Sequence, residues 1–304
     1  MRLLISHFHN EEYLLPWWIS HHKEMFDTVV MINHRSTDRS CEIIRKLAPH
    51  WEIVDTTTTK FSAKECDAEV MYHEGRFQAD LKIVLNTTEF LICESMHTLE
   101  RLLNHRHKRQ LILSGAIMVD QDPEKEPQET DSLVSKKHHG IWETNIWFSL
   151  IPSQLGFLKS PSRSRIIHCS QNGIYQVGRH FSKLPEKVRV DRSIAAIWWY
   201  ALSPFNGHTL KRKLQIAGQI SAADKVNKQG FQHQVSTDTI VDQHRYFLAK
   251  ARAISLTAMT PTEKSLAWVR SSATRVADLE SHKFFLKRLL KWTFLRVRNL
   301  LIRS

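Results

Sequence analysis

The chain predicts an α/β fold: a three-layer, mostly parallel sheet followed by a helical C-terminal extension. Three observations carry that expectation. Apolar runs of strand length alternate with helical patterns through the first hundred residues. One of these runs, Ile83-Val84-Leu85, is short, apolar and rich in β-branching, and it closes in the polar cluster Asn86-Thr87-Thr88-Glu89. That is the form of a buried strand whose carboxyl end is where an open sheet binds ligands. From about Thr239 onward the pattern is mainly helical.

The elements follow in order. Residues 3–5 form a first strand, ending in the polar stretch Ser6-His7-Phe8-His9-Asn10. A helix over about 11–25 has Glu11 and Glu12 in its first turn, where the helix dipole favours them, and an apolar stripe through Leu14, Trp17, Trp18 and Met25. Residues 28–32 make the second strand. Ser36, Thr37 and Asp38 suit the N-cap of a helix running to about Leu47. Residues 51–54 give a third strand, 63–77 a helix, and 82–85 the fourth strand. Residues 98–107 read as helix and 111–119 as a further strand-like run. The acidic segment 120–131, with Pro123 and Pro127, reads as a mobile surface loop. The sequence lacks the GxGxxG of a dinucleotide fold and the GxxxxGK[ST] of a P-loop.

At 304 residues and 42% hydrophobic, the chain can bury one large core with a small appendage. The expected division is residues 1–235 as a catalytic domain and 236–304 as a helical extension. Cys41, Cys66, Cys93 and Cys169 fit no disulfide framework, no signal peptide is read at the start, and no run of 18 apolar residues occurs. A reduced, cytoplasmic protein is expected. The formal charge is +12, and more than half of it lies in Lys283, Lys287, Arg288, Lys291, Arg296, Arg298 and Arg303. On a helix, Leu286, Leu289, Leu290, Phe294, Val297 and Leu301 fall opposite most of these cations. That composition suits a helix lying on an anionic membrane surface, on the inner face, through residues 282–304. Packing of the same helix on the core is the bland alternative. Nucleic acid is the weaker partner, because no reading motif interleaves with the basic residues.

Three pieces in order resemble family 2-like glycosyltransferases. His9-Asn10-Glu11-Glu12, Leu15-Pro16-Trp17-Trp18 and His21-His22 are similar to that family's opening K-N-E-x-x-x-L-x-E-W-x-x-x-H. Asn33-His34-Arg35-Ser36-Thr37-Asp38 resembles its N-x-S-x-D turn. Ile83 to Leu91 resembles the strand that normally ends D-x-D-E-F-L. The resemblance covers residues 1–95. It implies the glycosyltransferase A fold, a nucleotide-sugar donor, inverting transfer to a glycan or lipid-linked acceptor, and a place in polysaccharide biosynthesis. It also implies that His7, Asn10, Glu11, Asn33, Ser36 and Asp38 contact the donor, with Asn86 and Thr88 at the D-x-D positions, and that Mn²⁺ or Mg²⁺ binds there.

Both aspartates of the D-x-D pattern are replaced here, by Asn86 and Thr88, while Glu89 remains. Neutral oxygens bind a hard cation without the charge that makes binding strong. Three accounts stay open: a metal held by Glu89 with other acidic or histidine ligands, metal-independent catalysis, or a non-catalytic nucleotide-sugar or glycan-binding relative. Other candidates come from position along the chain. Asp67 stands near the start of the helix before the fourth strand, where a solvated helix face is the default and a donor contact the alternative. His168 and His180 lie in a late segment that suits a third metal ligand, and Arg179 beside them suits phosphate. Trp198-Trp199-Tyr200 is of the kind that stacks on sugars, although core packing explains it too. Lys211-Arg212-Lys213 suits an acidic donor or a lipid head group, with a solvated face as the default. Asp224 and His233 are weaker. For the base that takes the acceptor proton, the candidates are Glu143 and Asp120, flanking the acidic loop.

Overall fold

The structure, a computed structural model, describes residues 1–104, 110–142, 163–226 and 235–254. Glu143, His233 and the basic segment 282–304 lie outside the described residues.

The first strand, β1 (Arg2–Phe8), starts one residue earlier and ends three residues later than its apolar core suggests. Helix α1 (Leu15–His22) is shorter than the 11–25 expected, with Pro16 in its first turn, where proline costs no hydrogen bond. Glu11 therefore stands before the helix, its carbonyl accepting from the Leu14 and Leu15 amides. β2 (Thr28–Asn33), α2 (Ser40–Leu47), β3 (Glu52–Asp55), α3 (Ala63–Gly75) and β4 (Leu81–Val84) follow the expected alternation. Strands β3, β2, β1 and β4 are consecutive neighbours, all parallel. Val70 of α3 packs with Leu3, Ile5, Val30, Ile32 and Val84, which fixes that helix against the strands. Lys82, buried in β4, donates to the carbonyls of Glu74, Phe77 and Gln171 at 2.7–2.9 Å, so its charge is solvated by backbone.

Beyond β4 the expectation of a single sheet fails. β5 (Glu89–Cys93) and α4 (Met96–Asn104) come next. The apolar run 111–119 is broken at Ser114 into β6 (Gln110–Leu113) and β7 (Gly115–Val119), which belong to different sheets. The short helix α5 (Leu133–Lys136) precedes β8 (His139–Trp142). After it come β9 (Arg165–His168), β10 (Lys187–Arg189) and β11 (Ala195–Leu202). Helices α6 (Gly207–Leu214), α7 (Ala222–Val226) and α8 (Thr237–Leu248), then β12 (Arg252–Ala253), complete the described chain. The first sheet has seven strands in the order β10-β6-β9-β4-β1-β2-β3, with β9 antiparallel to both its neighbours. The second has five, β12-β8-β7-β11-β5, antiparallel except at β7–β11. Ile240 and Phe247 of α8 join Ile117, Val119, Ile141 and Leu202 in its core.

The acidic loop is also tighter at its root than expected. Asp120 is buried, with one carboxylate oxygen 2.7 Å from Lys137 Nζ and the other accepting from the Phe205 amide at 2.9 Å.

Candidate functional site

The chain winds outward from β1 to β3 and then returns to β4 on the other side of β1. Such a reversal of strand order leaves a crevice beyond the carboxyl ends of the two central strands. A cavity of about 250 Å³ occupies that place, lined by His7 to His9 at the end of β1 and Asn86 to Glu89 at the end of β4.

Its walls carry paired charges. Glu89 is buried and grips Arg165 through both oxygens, from Nε at 2.7 Å and Nη2 at 2.5 Å, and it also accepts from the Asn86 amide at 2.8 Å. Arg165 Nη1 donates to the Gly178 carbonyl at 2.8 Å and meets His180 Nδ1 at 2.9 Å. Burial, and then the Arg165 and Arg163 charges, hold His180 well below the ordinary histidine range. Arg179 sits at φ 59°, a left-handed conformation that turns its guanidinium inward. There Nη1 bonds to Asp67 Oδ1 and Nη2 donates to Asn86 Oδ1 at 2.9 Å, while Asp67 Oδ2 accepts from the Gly178 amide at 2.8 Å. Thr88 Oγ1 accepts from Trp199 Nε1 at 3.0 Å. β11 alternates its side chains, so Trp198 and Tyr200 are buried in the core while Trp199 lines the cavity with Arg163 stacked 3.8 Å from its ring.

Opposite lies a wall from the loop after β1 and from α6. Glu11 is buried, 3.7 Å from Arg212, and its Oε2 has no hydrogen-bond partner. Burial raises its pKa to about 7, with Arg212 and Thr87 pulling the other way. Lys213 lines the same cavity, and burial, then Arg212 and Arg163, push its pKa down to about 7. At the base, His7, His34 and Cys66 meet. Burial, followed by the neighbouring His7 and His9, lowers His34 to about 4, and burial raises the Cys66 thiol to about 12.

The sequence candidates sort accordingly. His7, Glu11, Asp67, Asn86, Thr88, Glu89, Arg179 and His180 all line the cavity. Asn10, Asn33, Ser36 and Asp38 are not among its lining residues and instead build the loops beneath it. Asn10 Oδ1 accepts from the Thr37 amide at 2.7 Å, Asn33 Oδ1 from Ser36 at 2.9 Å, Ser36 Oγ from Asn10 at 3.0 Å, and Asp38 from Glu12 and Ser40 at 3.0 Å each. The N-x-S-x-D segment is a brace between two loops. His168 lies outside the cavity lining as well, fully buried against Glu74 at 2.9 Å and Tyr175 at 3.0 Å. Asp120 belongs to a separate depression with Lys137 and Asp122, and its two oxygens are already bonded. Sequence reasoning missed Arg163 and Arg165, and it did not place Trp199 beside Thr88. The one signal near them was the late segment holding His168, three residues after Arg165.

A hard cation does not fit at the strand tip. Asn86 Oδ1, Thr88 Oγ1 and both Glu89 oxygens are engaged by N–H donors, and the neighbouring charges are guanidinium. A divalent ion there would displace an arginine from a buried carboxylate.

No protein-family model and no curated protein matches the chain. Partial likenesses exist among solved structures. One is glucosyl-3-phosphoglycerate synthase from Mycobacterium tuberculosis in complex with Mn²⁺, uridine diphosphate and glucosyl-3-phosphoglycerate, at 11% identity and TM-score 0.29 over 38% of this chain and 44% of that one. Another is S. aureus TarS 1-349 in complex with UDP-GlcNAc, at 13% identity and TM-score 0.38 over 80% and 79%. The chain spans under half the length of the synthase structures it matches. Likeness at this level says nothing of substrate. No described helix is long and apolar enough to cross a membrane.

Proposed function

We propose that the chain is a glycosyltransferase, taking a nucleotide-diphosphate sugar as donor and passing the sugar to a hydroxyl of a glycan or lipid-linked acceptor with inversion. The observation that carries this reading is the cation-rich cavity at the reversal of strand order, where Arg163, Arg165, Arg179, Arg212 and Lys213 converge. A departing nucleoside diphosphate develops negative charge, and fixed cations in a partly dry cavity stabilise it without reorganising. Arg179, held by Asp67 and Asn86, is oriented in advance for a phosphate oxygen. Trp199 offers a ring face for the sugar or base, and His7 lines the same wall. Of the carboxylates lining the cavity, Asp67 and Glu89 are hydrogen-bonded to arginines, whereas Glu11 Oε2 makes no hydrogen bond and meets Arg212 only as an ion pair at 3.7 Å. Glu11 is thus our choice for the group that accepts the acceptor proton, in place of Asp120. This is the metal-independent account of the diphosphate contact.

Residues 1–235 carry the reaction in this reading, and 236–304 attach it to the inner face of a membrane through the basic segment, as a step of polysaccharide assembly. The division is one of role, since α8 packs with the second sheet.

Calorimetry with uridine and guanosine diphosphates in chelator, alongside hydrolysis and transfer assays with nucleotide sugars, tests the proposal. Binding in chelator is expected, with turnover, and Arg179→Gln should weaken it by about 10-fold or more, the loss of a charge-assisted hydrogen bond. An incoming anion should also draw protons onto Lys213 and Glu11 near pH 7, seen as a heat that changes with the buffer's ionisation enthalpy. Absence of diphosphate binding overturns the reading. Binding without turnover supports the second one, a nucleotide-sugar or glycan sensor, which the arginine-filled strand tip favours.

A further inference from the structure

We propose that His7, His34 and Cys66 form a binding site for a zinc-class divalent cation at the base of the cavity. One ligand atom from each of the three lies within 4.8 Å of the other two. They come from three rigid places: the end of β1, the residue after β2, and the first turn of α3. The His34 amide donates to the Phe8 carbonyl at 2.8 Å, which fixes the first two relative to each other. Ser62 caps α3 through the Glu65 amide, and Asp224 accepts from the Ala63 amide at 2.8 Å, so the turn bearing Cys66 is pinned as well.

Both histidines of this cluster carry buried ring nitrogens that make no hydrogen bond. His7 Nε2 and both ring nitrogens of His34 have no hydrogen-bond partner, although His34 is only 3% exposed. Buried polar atoms are almost always paired, and orphans gathered on one point call for a ligand. Two imidazoles and a thiolate are the donor set of zinc-class metals, unlike the oxygen sets of Mg²⁺ and Mn²⁺. All three residues line the cavity, so a fourth position faces open space, as in sites that admit an anion or a water. Glu69 Oε2 stands 3.4 Å from His7 Nε2, so His7 would ligate through Nδ1 while Glu69 orients the ring from its other nitrogen. Asp67 and Glu69 favour a cation here and Arg179 opposes it. On binding, a metal–sulfur bond forms and the thiol proton leaves to solvent. The site is a property of these side chains and does not depend on the donor reading.

Titration of the chelator-stripped full chain with Co²⁺ provides the test. A thiolate-to-cobalt charge-transfer band should saturate at one ion per chain, disappear with Zn²⁺, vanish in Cys66→Ala and persist in Cys169→Ala, a change at an exposed thiol. Glu69→Gln should lower affinity about 10–100-fold. No band, or a band that survives in Cys66→Ala, overturns the site. Should Cys66→Ala fail to fold, alkylation of the native chain mapped by mass spectrometry decides instead. Zn²⁺ must protect Cys66 more than Cys41, and equal labelling overturns the proposal. Uridine diphosphate binding, measured on the same samples, reports separately on the donor reading.

Discussion

Glu11 sits in the cavity wall with its charge discouraged, because burial lifts its pKa from 4.5 to about 7 while Arg212 and Thr87 only partly offset this. The folded chain then holds a proton that the unfolded chain releases between pH 4.5 and 7. Stability from this group therefore falls as pH rises through that window. A gap of that size corresponds to on the order of 3 kcal/mol. Glu11→Gln should leave stability near pH 4.5 little changed and gain progressively toward pH 7 relative to the native chain, read from urea midpoints at each pH. A pH-independent difference would place Glu11 in water rather than in the wall. The same change should reduce transfer by about 10²–10⁴ if Glu11 takes the proton. From the sequence, Glu11 was legible as a functional residue through its motif and Arg212 as a cation suited to an acidic donor, but not their pairing across about two hundred positions. Glu89 shows the reverse. Its place at the strand tip was readable, yet its commitment to Arg165 left nothing for a metal.

Helix α3 turns three of its four acidic residues inward, where a solvated face was the natural expectation, and leaves Glu65 exposed. Asp67 meets Arg179, Glu69 holds Thr56 and Thr57 at 2.7 and 2.8 Å, and Glu74, fully buried, gathers three donors. Those donors are Tyr175 Oη at 2.7 Å, the Gly173 amide at 2.8 Å and His168 Nε2 at 2.9 Å. Glu74→Ala would strand all three in the interior. We expect a loss of about 3 kcal/mol or more in urea unfolding, since each orphaned buried group costs about 1–3 kcal/mol, with a smaller loss for Glu74→Gln. Equal losses in the two variants would mean that volume, not hydrogen bonding, sets the cost. Periodicity located this helix to within two residues, but its charge-bearing face depends on residues 173–179, whose pairing with the helix no local pattern announces. Strands β1 to β4 were readable for the opposite reason, because their apolar runs and intervening helices are local. β7 and β11 escaped recognition as a second sheet, since a buried apolar strand carries no mark of which sheet it joins.

Across the whole molecule, the half that sequence disclosed is the parallel unit holding the tips of β1 and β4. What it left unplaced is the antiparallel sheet that carries Trp199, together with α6, whose Arg212 and Lys213 read as suited to an acidic donor without showing which cavity they enter. The basic segment 282–304 is a sequence-level expectation of its own. Each cation near an anionic surface contributes about 1 kcal/mol, so its seven give ample room for binding that salt weakens. Removing 282–304 should shift the protein from pelleted anionic vesicles to the supernatant, with the intact chain released by high salt. An unchanged partition would assign the segment to packing.

Only four residues, 85–88, separate β4 in one sheet from β5 in the other. Both ends of this span are clamped: Leu85 by the Ile5 carbonyl at 3.0 Å, and Thr88 by the Tyr200 amide at 2.7 Å. It behaves as a strut between two plates and has no slack of its own. Whatever molecule leans on Asn86 or Thr88 pushes on both plates together, so seating a ligand and aligning the sheets become a single mechanical event.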